Sequence, residues 1–218
     1  MKILVFDTET TGKINDFKNL HDTGNQPHIV QFSYVMYDIE KNSLSINDHI
    51  IKIRQDIVIP IECINIHGIT QERCQKEGVI LYDVLSKFFS KVKKADYIIG
   101  HNLEFDVKML IVEFYRLKQE SDHDKSYDQI IEYFEKSEHF NSKCFCTMKN
   151  TVDICKIQTS RGYKYPKLSE LHKHLFSVEP KNLHNSLFDV IITLRCFYKL
   201  IYEVDLREKN RTIRQMLR

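Results

Sequence analysis

The chain has 218 residues, 42% of them hydrophobic, enough for one good core, so a single domain over residues 1–218 is expected. A formal net charge of +2 excludes an overall basic binder and confines any nucleic-acid surface to local patches. No apolar run approaches a membrane span and the start lacks the charged-then-apolar pattern of an export signal. A soluble, intracellular protein with no membrane partner is therefore expected, its six cysteines reduced.

Ile3-Leu4-Val5-Phe6 leaves no polar face, which predicts a central strand covered on both sides. It stops in Asp7-Thr8-Glu9-Thr10-Thr11-Gly12. Side chains alternate along a strand, so Asp7 and Glu9 share a face and two acids are presented together. A divalent cation between them relieves their repulsion, and carboxylate oxygens suit Mg²⁺ or Mn²⁺. A plain solvated strand end is the other reading of this pair alone.

Lys13 to His28 reads as a loop, and Ile29 to Tyr37 as a strand that turns at Glu40-Lys41-Asn42 into another over Ser45 to Ile53. An antiparallel three-stranded start follows. Ile66-His67-Gly68-Ile69-Thr70 reads as a turn, with Thr70 capping a short polar helix. Ile80, Leu81, Val84, Leu85, Phe88 and Val92 recur at helical spacing over Val79 to Lys93. Asp96 to Gly100 is a short buried strand leading through His101-Asn102 into a helix with apolar Leu103, Val107, Leu110, Ile111, Phe114 and Leu117. Asp106 falls on the inward side of that helix, where a carboxylate requires a partner.

From Glu120 to Glu138 seven acids face two lysines, with one weak apolar stripe, so residues near 119–142 are expected to form a solvated acidic helical extension. Lys143 to Met148 suggests a strand, Leu168, Leu171 and Leu175 a helix after Pro166, and Leu187 to Ile201 a long amphipathic helix. A short basic tail over Arg207 to Arg218 closes the chain. Cys144, Cys146 and Cys155 with His172 or His174 match no recognised zinc spacing.

His184-Asn185-Ser186-Leu187-Phe188-Asp189 precedes the long helix. For His184 and Asp189 to serve one site, His184 must stand in the loop and Asp189 in the first turn. Ser186-x-x-Asp189 also reads as a capping box, and His184 as a loop histidine. Taken jointly, Asp7, Glu9, Asp106 and Asp189 with His184 are what two-metal phosphodiester hydrolysis requires. There two cations about 3.5–4 Å apart clamp the attacking and leaving oxygens, and the histidine takes the proton.

Three stretches carry a resemblance: Phe6 to Gly12, Gly100-His101-Asn102-Leu103-Glu104-Phe105-Asp106, and His184 to Asp189. Their order and content resemble the exonuclease motifs of the DEDDh, or DnaQ-like, 3′–5′ exonucleases, including the proofreading members. Pro27 to Phe32, Ile66 to Thr70 and Pro166 to Leu171 resemble secondary blocks of that group. The resemblance implies an α/β, RNase H-like fold with a mixed five-stranded sheet flanked by helices. It assigns Asp7, Glu9, Asp106 and Asp189 to metal binding, with two cations, Mg²⁺ or Mn²⁺, and His184 to the general base. Thr10, Thr11 and Gly12 match positions that hold the terminal nucleotide, and His67 and Asn102 match substrate-side positions. Ser186 stands where the family usually has alanine, and the loop from Lys13 to Gln26 is longer than in a minimal member. The chain ends 29 residues after Asp189, too few for a long polymerase-binding tail, so polymerase attachment is not supported.

Lys143 to Lys181 holds eight Lys/Arg against three acids, with Tyr163 and Tyr165 among them. Phosphate neutralisation with aromatic stacking serves sequence-independent single-strand binding, so Arg161, Lys164 and Lys167 are expected to guide the backbone. A solvated basic face is the alternative. The expected activity is removal of mononucleotides from DNA 3′ ends, single-stranded or frayed, in proofreading or repair. RNA is the alternative substrate, as in ribonuclease T or oligoribonuclease relatives, and a non-catalytic nucleic-acid-binding module is a third reading, disfavoured because all five chemical positions are intact.

Overall fold

Ile3, Leu4, Val5 and Phe6 are each no more than 1% exposed, as a strand buried on both faces requires. The computed structural model describes residues 1–121, 124–180 and 183–218. Strand β1 (Lys2–Thr10) pairs antiparallel with β2 (Ile29–Asp38), which pairs antiparallel with β3 (Ser43–Ile50). The antiparallel start is as expected, with β3 ending three residues before Ile53.

A helix then appears where a turn was expected. α1 (Ile61–His67) begins after Pro60, whose fixed φ suits a helix start, and ends at Gly68 with φ of 71°, a left-handed cap that glycine adopts at little cost. Ile66 and His67 therefore belong to this helix. Thr70 caps α2 (Gln71–Glu77), accepting from the Arg73 N–H at 3.2 Å. α3 (Leu81–Lys94) leads to β4 (Tyr97–Gly100), and α4 (Leu103–Glu120) follows at once.

The acidic segment is corrected by the structure. α5 (Ser126–Lys136) and α6 (Glu138–Lys143) are packed and not merely solvated. Tyr127, Ile131, Phe134 and Phe140 are buried in the main core, with Phe134 stacked on Phe114 at 5.9 Å and edge-on to Phe140 at 5.1 Å. The acids occupy the outer face and an aromatic stripe, each pair contributing about 0.5–1.5 kcal/mol beyond area burial, occupies the inner one. Asp122 and His123 of this segment lie outside the described residues.

β5 (Cys144–Cys146) joins the sheet parallel to β4, giving the order β3-β2-β1-β4-β5. Two single-turn helices, α7 (Thr147–Asn150) and α8 (Val152–Cys155), precede a small hairpin of β6 (Gln158–Thr159) and β7 (Gly162–Tyr163). α9 (Leu168–Phe176) and the long α10 (Ser186–Tyr202) complete the layers. The basic tail is also corrected: α11 (Leu206–Lys209) and α12 (Arg211–Met216) bury Leu206 and Ile213 against the sheet.

Alternation along β1 sorts the core into two sides. Leu4 and Phe6 face α3 and α4, where Phe88 meets Phe6, Phe32 and Tyr34 at ring distances of 4.9–5.2 Å. Ile3 and Val5 face α10, against Val190, Ile191, Leu194 and Phe197. All six cysteines are free thiols, with Cys74 and Cys196 buried, and no cysteine joins a metal-competent cluster among the described residues. No described helix is long and apolar enough to cross a membrane.

Candidate active site

The parity that buries Ile3 and Val5 under α10 carries on to Asp7 and Glu9, while Thr8 continues the face of Leu4 and Phe6. β1 stays paired with β2 as far as Glu9↔Gln31, with a register shift before Thr10. On its other edge the parallel pairing with β4 ends at Val5↔Ile99. The tip of β1 thus runs past β4, and the chain turns there through Gly100, His101 and Asn102 into α4.

That turn is tight. A Cβ at Gly100 would lie 2.9 Å from Leu103 Cδ1 and 3.2 Å from Leu103 Cα, so a side chain there would meet the returning helix. Asn102 takes the left-handed conformation, φ 71°, one that asparagine tolerates. The outcome is that Asp106, 2% exposed, meets Thr8. One carboxylate oxygen accepts from the Thr8 N–H at 3.0 Å and from its hydroxyl at 2.7 Å.

α10 delivers the remaining acid. Its cap is Asn185 and not Ser186, with Oδ1 accepting from the Phe188 N–H at 3.4 Å, which leaves Asp189 in the first turn as expected. One carboxylate oxygen from each of Asp7, Glu9 and Asp189 lies within 4.8 Å of the others. Asp106 stands beside this trio and is tied to Thr8. His184 lies in the loop before the helix, exposed, with φ of 66°, and its backbone N–H donates to Asp189 Oδ2 at 3.2 Å.

The electrostatics are those of acids forced together. Burial pushes the Asp7 carboxyl well above the ordinary carboxylate range, and the charges of Asp106, Asp189 and Glu9 push it further, with the Ser186 hydroxyl working against them. Glu9 is raised to about 8 by burial and by Asp189 and Asp106. Burial also raises Asp106 to about 7 against the pull of its Thr8 bonds, and Asp189 to about 7 against its bond from His184. The other Asp189 oxygen, Oδ1, is buried and finds no donor among the described residues. An orphaned buried carboxylate oxygen within an all-oxygen donor set fits a hard divalent cation.

The expected substrate-side residues are placed less uniformly. The Thr10 hydroxyl donates to the Gly12 carbonyl at 2.6 Å, and Thr11 binds His28 through its N–H and its hydroxyl, each at 2.9 Å. These bonds fix the rim of the site. His67 is buried, its Nδ1 accepting from the Ile69 N–H at 3.0 Å, so its Nε2 carries the proton and has no hydrogen-bond acceptor among the described residues. Burial lowers its pKa, and the Thr10 backbone, near the ring but outside hydrogen-bond geometry, opposes the shift.

Arg161 lies in the β6–β7 hairpin, with Lys164 and Lys167 between it and α9. Lys164 is held by Glu170 at 2.6 and 2.8 Å, so it is a weaker candidate for phosphate than expected, whereas Arg161 and Lys167 are exposed. Lys181, at the end of the basic stretch, lies outside the described residues. The link between this region and the start of α4 is His101, a residue the sequence did not single out by itself. Its Nε2 meets the Pro166 carbonyl at 3.1 Å and its Nδ1 the Thr147 hydroxyl at 2.9 Å, and burial lowers its pKa to about 4. A neutral ring thus braces the approach to the hairpin against the start of α4.

A family model for exonucleases of the RNase_T type matches residues 4–197. Among solved structures, E. coli Exonuclease I in complex with a dT13 oligonucleotide aligns with a TM-score of 0.65 and 19% identity, over 91% of this chain and 41% of that one. The zinc-bound form of the E. coli Exonuclease I complex with single-stranded DNA gives 0.64 and 17%, over 91% and 40%. Exonuclease I without ligand gives 0.64 and 17%, over 91% and 42%. The likeness shows a shared RNase H-like fold, and the chain spans only 40–42% of the length of those proteins. A search of curated proteins finds no match.

Proposed function

The chain belongs to the exonuclease family, and on that footing we propose that it is a metal-dependent 3′–5′ exonuclease that removes mononucleotides from the 3′ ends of DNA. One observation carries this reading: Asp7, Glu9 and Asp189, from two different elements, converge within 4.8 Å at a strand tip, with Asp106 alongside. So much buried like charge is costly to assemble and has no structural use by itself.

Asp7, Glu9, Asp189 and Asp106 would hold divalent cations, Mg²⁺ or Mn²⁺. Such ions supply charge neutralisation at the phosphate and acidify water. The rest is the work of the chain. His184, exposed beside Asp189, accepts the proton of the attacking water, and its backbone bond to Asp189 keeps it at the rim. Thr10, Thr11 and Gly12 shape the seat of the terminal nucleotide, and Asn102 lines the approach. The protonated Nε2 of His67 offers that nucleotide a donor. Tyr163 and Tyr165, exposed on and beside the hairpin, offer stacking faces to preceding bases, with Arg161 and Lys167 opposite the phosphates. Single-stranded DNA is favoured as substrate because the structural relatives include complexes of Exonuclease I with dT13 and with dA16 oligonucleotides.

A denaturing gel with matched DNA and RNA oligonucleotides, labelled at either end, with and without EDTA, tests the reading. The expected result is immediate release of the 3′ label, a one-nucleotide ladder from the 5′ label, and no reaction in EDTA or with Asp7→Asn. Faster digestion of RNA moves the assignment to an exoribonuclease. Release from the 5′ end, or activity indifferent to chelator, sinks it. His184→Ala should lower kcat by about 10²–10⁴, the usual worth of a positioned base, with Mn²⁺ affinity little changed.

A further inference from the structure

Directly opposed residues of an antiparallel pair share a face. The register puts Ser33 opposite Asp7, Gln31 opposite Glu9, and Asp48 of β3 opposite Ser33. Beside the carboxylates there is therefore a second polar row under α10, and Gln31, Ser33 and Ser186 in it are each at most 1% exposed. Gln31 Nε2 donates to Asp48 Oδ1 at 2.7 Å, as does the Ser33 hydroxyl at 2.7 Å. Gln31 Oε1 accepts from the Ser186 N–H at 3.3 Å, and the Ser186 hydroxyl donates to the Asp7 backbone carbonyl at 2.7 Å.

The direction of this chain is fixed by chemistry. An ionised Asp48 only accepts and the Ser186 N–H only donates, so the Gln31 amide fits one way round. The Ser186 N–H is one of the orphan donors of the first helical turn, and Gln31 satisfies it from the sheet. Ser186 and Asp189 are three residues apart, hence on the same face of α10. Holding Ser186 on the Asp7 carbonyl therefore holds Asp189 over Asp7 and Glu9.

We propose that Gln31 and Ser186 are positioning residues for the carboxylate site: the run Asp48–Gln31–Ser186–Asp7 clamps the start of α10 to the tip of β1. The clamp sets Asp189 at metal-binding separation before any cation arrives. It opposes the mutual repulsion of the acids, which drives α10 away from β1, so the cost of assembly is met on folding and not on binding. The proposal rests on the metal-holding reading above.

Mn²⁺ binding, followed by electron paramagnetic resonance of the free ion, tests the clamp without recourse to activity. Ser186→Ala and Gln31→Leu should weaken Mn²⁺ binding by about 10-fold or more, as loss of a partner behind a ligand does. KM for a DNA oligonucleotide at saturating Mn²⁺ should stay within about twofold, since the substrate-facing residues are untouched. Asp48→Ala should act in the same direction, and Asp48→Asn, which keeps an acceptor oxygen, should restore binding. Ile192→Val, a buried change on α10 away from the clamp, controls for simple destabilisation and should lower Tm with Mn²⁺ affinity unchanged. If wild type binds Mn²⁺ while folded Ser186→Ala and Gln31→Leu bind it equally well, or lose no more than the control, the clamp is overturned. If wild type itself binds no Mn²⁺, the metal-holding reading falls and the clamp with it.

Discussion

Thr8 grips a single oxygen of Asp106 twice, with its backbone N–H at 3.0 Å and its hydroxyl at 2.7 Å, across 98 positions of sequence. Both bonds favour the ionised carboxylate and oppose the burial that raises its pKa to about 7. Thr8→Val keeps the shape and the N–H bond and removes the hydroxyl bond. A hydrogen bond to a charged group contributes about 1.5–3 kcal/mol, or about one pKa unit or more. Metal ligands bind deprotonated. The pH at which Mn²⁺ binding is half developed should therefore move up by about one unit in Thr8→Val, leaving affinity near wild type at pH 9. An unshifted profile would separate Asp106 from metal binding.

The metal-free protein should lose stability as pH rises. Glu9, Asp106 and Asp189 have folded pKa values raised to about 8, 7 and 7, against about 4 in the unfolded chain. Below pH 4 both states hold these protons and the groups contribute nothing to the pH dependence. Between pH 4 and 8 the folded state holds more protons than the unfolded state, so each step upward favours unfolding. In EDTA, Tm should therefore fall from pH 5 to pH 8, and Mn²⁺ should raise it more at pH 8 than at pH 5.5. Asp7→Asn removes one of the opposed charges and should raise Tm in EDTA at pH 8 while abolishing hydrolysis. A Tm that climbs across this range would contradict the carboxylate cluster.

What the sequence discloses about this site, and what it hides, follows from which interactions are local. Ile3 to Phe6 declare a central strand because four apolar residues have no polar face to show, and Asp7 and Glu9 share a side by alternation alone. Asp106 is marked by helical spacing as an inward acid in need of a partner. The partner, Thr8, is invisible, since no pattern connects a strand threonine to a helix 98 positions away. Position 186 offers a serine whose spacing to Asp189 suggests a helix cap, whereas Asn185 caps the helix and Ser186 instead bonds Gln31 and the Asp7 carbonyl, partners that no local pattern announces. The acidic stretch misleads for a different reason: its charges dominate the composition while Tyr127, Phe134 and Phe140, spaced at six or seven residues, carry the packing. Leu206 and Ile213 are likewise too sparse among basic residues to announce that α11 and α12 fold onto the sheet.

Arg116 and Glu113 should prove to be the latch of the loop before β2. Both are buried, 2.8 Å apart. Arg116 also donates to the carbonyls of Thr23, Gln26 and Pro27 at 2.6–2.9 Å, and Glu113 accepts from the Ile29 N–H at 3.0 Å. Burial raises the Glu113 pKa while Arg116 draws it down. Arg116→Met strands the carboxylate and three carbonyls, with an expected loss of about 3–5 kcal/mol in urea unfolding. Glu113→Leu combined with Arg116→Met should lose less than Arg116→Met alone. Trypsin should cut faster at Lys13 and Lys18 in the single variant. Equal cleavage in wild type and variant would show that the loop holds without the latch.

The hairpin basic residues should differ in their effect on nucleic acid, because their surroundings differ. Lys164 is neutralised by Glu170, whereas Arg161 and Lys167 are exposed and make no salt bridge among the described residues. Removing a cation that neutralises one phosphate of a single strand reduces the slope of log K against log salt by about 0.7. With Asp7→Asn as an inactive background, fluorescence anisotropy of a single-stranded DNA should show that reduction for Arg161→Ala and for Lys167→Ala, and little for Lys164→Ala. Glu170→Gln should do the opposite of a lysine loss, freeing Lys164 and steepening the slope. Tyr163→Ala and Tyr165→Ala should weaken binding by about 1–3 kcal/mol per unstacked base while leaving the slope alone. Should all three basic variants behave alike, the ion pair with Glu170 would have no part in how the hairpin meets a phosphate chain, and the strand would have to reach the carboxylates by another route.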